Sequence, residues 1–358
     1  MRGSFFAVVL LLLFAFSFGP VFAQQSVAAK NRYKIAKNFA VSGNLDAAER
    51  ELTEALRLDG HYGDALYLMG LVQSEKKNYE KAIEFFKKVI SEHPKFYTAR
   101  LHLASAFLAM DERDKASEQI DYYVTNMPSD PEGHYAKGCL YYVKGDLNAA
   151  VKSWDKAISL KREHVYSHYN RGIALFWLGR RDDGISSVER ALELKTTSLP
   201  FRFTLGRLRY ISGRTVDAGK EFKYLAEASP ESHIGLVSAG YLLLSEKKYD
   251  EAAAKADAAL KIDPSFSPAM ELKSYALEGK GEYDEAIRLC EEILKGDGND
   301  RNASERMSSL KSLRDSRPSG AAGAGDSGDE PVKAGEDGED GAPRVDEGGG
   351  SDPAPPGE

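Results

Sequence analysis

Residues 131–164 read PEGHYAKGCLYYVKGDLNAAVKSWDKAISLKREH, and four of them decide the fold: Gly138, Ala150, Trp154 and Ala157. Moving thirty-four residues in either direction finds the same kinds of residue again. The position of Gly138 continues as Ala36, Gly70, Ala104, Gly172, Gly206, Gly240 and Ser274, and that of Ala150 as Ala48, Ala82, Ala116, Gly184, Ala218, Ala252 and Ala286. Small residues recurring at a fixed period of this length mark a helical hairpin copied along the chain, because two helices cross closely only where side chains leave room. No insertion interrupts either ladder.

The second helix of each copy buries a stripe. Four residues after the second ladder stand Leu52, Phe86, Ile120, Trp154, Val188, Phe222, Ala256 and Cys290. Three further on, Ala55, Val89, Tyr123, Ala157, Ala191, Leu225, Ala259 and Ile293 complete the same helical face. Gly43, Gly145, Gly179, Gly213 and Gly281 supply helix stops between paired helices, and Pro94, Pro128, Pro230 and Pro264 end four of the second helices.

With a small residue eighth, alanine twentieth, a large apolar residue twenty-fourth and proline thirty-second, the pattern resembles the tetratricopeptide repeat family. The resemblance covers 29–300 as eight copies: 29–62, 63–96, 97–130, 131–164, 165–198, 199–232, 233–266 and 267–300. It implies an all-α, right-handed superhelical solenoid of helix-turn-helix repeats. Residues 301–316 read as a polar-backed capping helix, with Met307, Leu310 and Leu313 toward the last repeat. The fifth copy departs from the pattern at Gly184 and Thr196, the fourth at Arg162, and Lys137 and Arg171 occupy a usually apolar seventh place. Looser packing is expected around these two copies.

Both ends differ from the array. Residues 1–23 carry Arg2, an apolar run from Phe5 to Phe18 and Val21-Phe22-Ala23, the layout of a cleavable secretory signal, and 24–28 form a linker. The repeats are then expected in the periplasm, with the extracellular space, or a membrane anchor left uncleaved, as alternatives. From 317 to 358 the chain holds eleven acidic residues, three basic residues, seventeen Gly or Pro and no aromatic residue, a composition expected to stay disordered. That tail contributes 3 − 11 = −8 to a net charge of −7, and Arg2 contributes +1, so the repeat body is nearly neutral. Such a body excludes the strongly basic footprint of a general nucleic-acid binder.

Catalytic motifs are not found: no phosphate loop, nucleophile elbow, zinc-protease helix or paired-cysteine motif occurs, and no cofactor is implied. His134 and His168 hold equivalent fourth places in adjacent copies, a conceivable metal pair without an evident third ligand, so no metal site is expected. Cys139 and Cys290, the only two cysteines, fall four copies apart, beyond disulfide reach in an extended solenoid.

What remains is a surface. The resemblance implies a concave face lined by first helices, and there Tyr135, Tyr142, Tyr169, Phe176, Trp177, Phe203, Arg207 and Tyr210 form an aromatic wall in copies four to six. Such a wall stacks on an extended ligand while Arg207 pairs with a carboxylate. Tyrosine at the fifth place also packs between neighbouring first helices, so part of this ladder is scaffold. The lysine and asparagine set by which similar repeats hold chaperone tails is not reproduced, since Tyr33 with Lys37 and Tyr169 with Ile173 stand in its place. The expected function is a non-enzymatic adaptor that holds an extended peptide or partner helix in the groove, within a bacterial cell-envelope assembly or secretion process. A carbohydrate-facing scaffold in exopolysaccharide export is the alternative.

Overall fold

The computed structural model describes residues 27–296, 298 and 300–316; the expected signal segment and acidic tail lie outside the described residues. Among the described residues the chain is helical throughout. First helices are α1 (27–41), α3 (Gly63–Glu75), α5 (Thr98–Ala109), α7 (Pro131–Val143), α9 (Val165–Trp177), α11 (Leu199–Ile211), α13 (His233–Ser245) and α15 (Ser267–Lys280). Second helices are α2 (Leu45–Leu58), α4 (Tyr79–Glu92), α6 (Arg113–Asn126), α8 (Leu147–Leu160), α10 (Arg181–Leu194), α12 (Thr215–Ala228), α14 (Tyr249–Ile262) and α16 (Tyr283–Gly296). A seventeenth helix, α17 (Arg301–Asp315), closes the C-terminal end, and each helix packs on its sequence neighbours in an all-α solenoid.

The small ladders act as holes for knobs. A Cβ added at Gly138 would lie 2.3 Å from Nε1 of the Trp154 ring, and one at Gly70 would lie 2.5 Å from Cε1 of Phe86. The glycine of the first helix therefore makes room for the large side chain of the second. In the fifth copy the arrangement changes, because Val188 is small. There a Cβ at Gly172 would come within 2.7 Å of the Gly184 carbonyl, and one at Gly184 within 2.6 Å of the Gly172 carbonyl. The backbones themselves are in contact, so packing here is tighter, not looser as the departures in sequence suggest. Lys137 and Arg171 do not disturb it, since their charges reach Asp121 at 2.8 Å and Asp155 at 2.6 Å.

Every hairpin turns through one left-handed residue. Five of these are glycines, with φ from 76° to 86°, and the other three are Lys77, Asp111 and Lys247, with φ of 62°, 59° and 59°. All eight stand thirty-four residues apart. A side chain in this conformation costs about 1–2 kcal/mol relative to the right-handed one. Lys77→Gly and Lys247→Gly are each expected to stabilise the protein by about 1 kcal/mol, part of that gain being offset by the entropy of glycine in the unfolded chain. Urea midpoints of the two variants check this.

Histidines tie the loops between hairpins. Nε2 of His134 lies 3.0 Å from the Pro128 carbonyl and Nε2 of His168 lies 2.9 Å from that of Arg162, so this pair is engaged with backbone six residues upstream. Cys139 is half-buried, Cys290 is buried, and both are free thiols. The cap α17 is held by Ala303 and Leu310, by Met307 packed against them, and by Arg306. The guanidinium of Arg306 stacks 3.5 Å above the Tyr275 ring and donates to Ser274 Oγ at 3.0 Å. Leu313, expected to face the last repeat, is 39% exposed.

Candidate functional site

Tyr142, Trp177 and Arg207 come together around one cavity of about 620 Å³ on the first-helix side of the array. Tyr142 and Trp177 stand in the last turns of α7 and α9, and Arg207 projects from the middle of α11. Val143, Leu147 and Ile173 add apolar wall, while Arg113, Asp300, Arg301 and Ser304 add polar groups. An apolar wall with a few convergent polar groups is the usual composition of a binding site. Asp300, Arg301 and Ser304 belong to the start of the cap, so the C-terminal end of the chain forms one side of a cavity built by the middle repeats. Sequence periodicity carries no sign of this.

The other five expected residues serve the scaffold more than the cavity. Phe176 is 2% exposed and Phe203 5% exposed, which corrects their assignment to the groove surface. Phe176 packs among Ile185, Val188, Leu205 and Leu208, and Phe203 among Phe222, Val237 and Phe266. Each fills the space between neighbouring copies. Tyr169 is half-buried, its ring stacked 4.3 Å from Phe201 and its hydroxyl 2.7 Å from Thr204 Oγ1. Tyr210 meets Tyr241 at 4.9 Å and Tyr275 at 5.4 Å, both edge to face. Tyr135 lies 5.2 Å from the His164 ring and receives a hydrogen bond from Asn170 at 3.4 Å. Burial raises the pKa of all three phenols above the ordinary tyrosine value.

Arg207 is the larger correction. Its Nη2 donates to Glu271 Oε2 in α15, two hairpins onward, and the Tyr241 hydroxyl from the intervening α13 donates to Glu271 Oε1 at 3.1 Å. Burial works against the Arg207 charge, but the neighbouring Glu271 carboxylate outweighs it, so the guanidinium pKa is raised and the group stays charged. The carboxylate expected from a ligand is thus supplied by the protein. Glu271 is 3% exposed and occupies the fifth place of the last copy, where the first six copies carry Tyr33, Tyr67, Leu101, Tyr135, Tyr169 and Phe203. An acid in an aromatic ladder was the signal for this pair.

A hydrogen bond crosses the cavity. Nη1 of Arg301, the first residue of α17, donates to the Trp177 carbonyl at 3.1 Å, across 124 residues of sequence.

Comparisons with known proteins agree with this architecture. Tetratricopeptide repeat models match residues 33–95, 74–138, 203–266 and 243–310, and a TPR repeat model matches 138–179. The human protein DnaJ homolog subfamily C member 7 is 27% identical over 147 residues, 38% of this chain and 30% of its own. Cellulose synthase operon protein C of Xanthomonas axonopodis pv. citri is 29% identical over 126 residues, 33% of this chain and 8% of its own. The chain therefore spans less than a third of either curated relative. A solved tetratricopeptide repeat protein from Parabacteroides merdae superposes with a TM-score of 0.55 at 18% identity, covering 70% of this chain and 99% of that one. The APC/C hetero-tetramer Cut9-Hcn1 gives a TM-score of 0.55 at 16% identity, covering 77% of this chain and 54% of that one.

Proposed function

The chain belongs to the tetratricopeptide repeat family, and on that premise we propose that it is an exported, non-enzymatic adaptor that holds a segment of a partner protein in its middle groove. The cavity beside Tyr142 and Trp177 is the observation that carries this reading, since it offers aromatic surface next to polar groups at a size suited to side chains of a peptide. The partner is placed in a bacterial cell-envelope assembly or secretion process on the strength of the signal-like first 23 residues. Amino-terminal sequencing of the mature protein is expected to begin at Gln24; a chain that retains Met1 contradicts the cleavage.

Photo-crosslinking tests the groove. A photoreactive phenylalanine analogue at Tyr142 is expected to capture one defined protein in the native host, while the same group at Val216, exposed on α12, captures none above background. Equal capture at both positions contradicts the assignment. The exopolysaccharide alternative draws support from the relative named for a cellulose synthase operon. It predicts that cello-oligosaccharides quench the fluorescence of Trp177, and the peptide reading predicts no change. Trp154 is buried beneath Tyr142 and leaves Trp177 as the responsive indole.

A further inference from the structure

The Arg301–Trp177 contact joins the start of the cap to the end of α9, beside the Asp300 carboxylate that acts on Arg207. Trp177 ends α9, and the carbonyl groups in the last turn of a helix lack partners within the helix. The turn that follows satisfies its neighbours: Leu178 N–H reaches the carbonyls of Ala174 and Leu175, Gly179 N–H that of Phe176, and Arg180 N–H that of Leu175. The Trp177 carbonyl instead accepts from Arg301. A guanidinium at the negative end of the α9 dipole is well placed electrostatically, which gives the contact a physical preference for this spot. Meanwhile α17 is anchored through Ala303, Leu310, Met307 and Arg306 on α15 and α16.

We propose that Arg301 is a latch: its bond to the Trp177 carbonyl holds the guanidinium across the middle groove, and a partner segment entering beside Tyr142 and Trp177 must release it. The anchor begins at Asn302 and Ala303, which are buried, so the Arg301 side chain alone can leave α9 while α17 stays docked. Arg301 itself is exposed, and a single hydrogen bond from an exposed side chain breaks and re-forms readily. Closed, the latch lays the Arg301 guanidinium across the cavity; open, it widens the approach to Ile173 and Trp177. Such a latch rests on the adaptor reading of the groove and gives it a means of regulation, and closure is measurable without any partner.

Acrylamide quenching of tryptophan fluorescence in the full chain is the test, because Trp154 is shielded and Trp177 reports. Arg301→Ala is expected to raise the quenching constant of the accessible indole about two-fold, since removing the tie shifts a two-state population toward the open form. Arg301→Lys retains a donor and is expected to fall between. Arg314→Ala, at the other end of the same helix, leaves quenching unchanged. Hydrogen exchange across Met307 and Leu310 is expected to remain slow in all three variants. Unchanged quenching in Arg301→Ala overturns the latch, and so does faster exchange at Leu310, which would mean that Arg301 merely holds the cap in place. If quenching rises as expected while the Tyr142 crosslink captures nothing, the latch stands and the adaptor reading of the groove falls.

Discussion

Glu271→Ala is expected to lower stability by about 3–5 kcal/mol, the usual consequence of leaving one partner of a buried ion pair uncompensated. The substitution strands the Arg207 guanidinium between α11 and α15 and removes the acceptor of the Tyr241 hydroxyl. Both losses fall on the same three first helices. Urea denaturation followed by circular dichroism, with hydrogen exchange to localise the loss, checks it: α11, α13 and α15 should lose protection well before α3 and α5. The double variant Arg207→Met/Glu271→Leu is expected to regain part of the loss, since apolar residues of similar volume substitute for a buried pair at little cost, while the Tyr241 hydroxyl still lacks its acceptor. A single variant that melts with the parent would show that the pair adds nothing.

Gly184→Ala reverses an ordinary expectation. The other seven copies carry alanine at this position, and alanine exceeds glycine in helix propensity by about 1 kcal/mol. Here the new Cβ would stand 2.6 Å from the Gly172 carbonyl oxygen and 2.7 Å from the Phe176 amide nitrogen, both backbone atoms fixed in α9. Overpacking at its upper range costs about 3 kcal/mol, which outweighs the propensity gain and leaves the variant about 2 kcal/mol less stable. Gly206→Ala forms the contrast, because its nearest neighbour is Cε1 of the buried Phe222 ring at 2.8 Å, a side-chain atom and not backbone. Thermal melting of the two variants should place Gly184→Ala clearly lower; the reverse order would refute the backbone contact.

The repeat was legible because its causes are local. A small residue, glycine where it admits Trp154 or Phe86, must sit at one place in every hairpin, and the thirty-four-residue spacing records it. The turns were only partly legible: Lys77, Asp111 and Lys247 adopt the left-handed conformation with no glycine to announce it, because the geometry of the hairpin imposes it. The candidate site fared worse for a physical reason. Register shows which helical face a residue shares, but burial between copies depends on how each hairpin leans on the next and the next but one. Phe203 rests against Phe266, and Arg207 meets Glu271 across 64 residues, through that stacking. Phe176 and Phe203 therefore left the groove for the core, while Tyr142, Trp177 and Arg207 stayed at its edge. Arg301 was invisible in the pattern, since no periodicity connects residues 124 apart.

Tension applied to the two ends would not be shared evenly. Hairpins joined only to the next in line peel away one at a time under load, in small steps. The Arg207–Glu271 bridge passes over α13 and so binds three successive first helices into a single unit. A pulling trace should show graded extension from the amino-terminal copies, followed by one long rupture as the carboxyl-terminal block gives way.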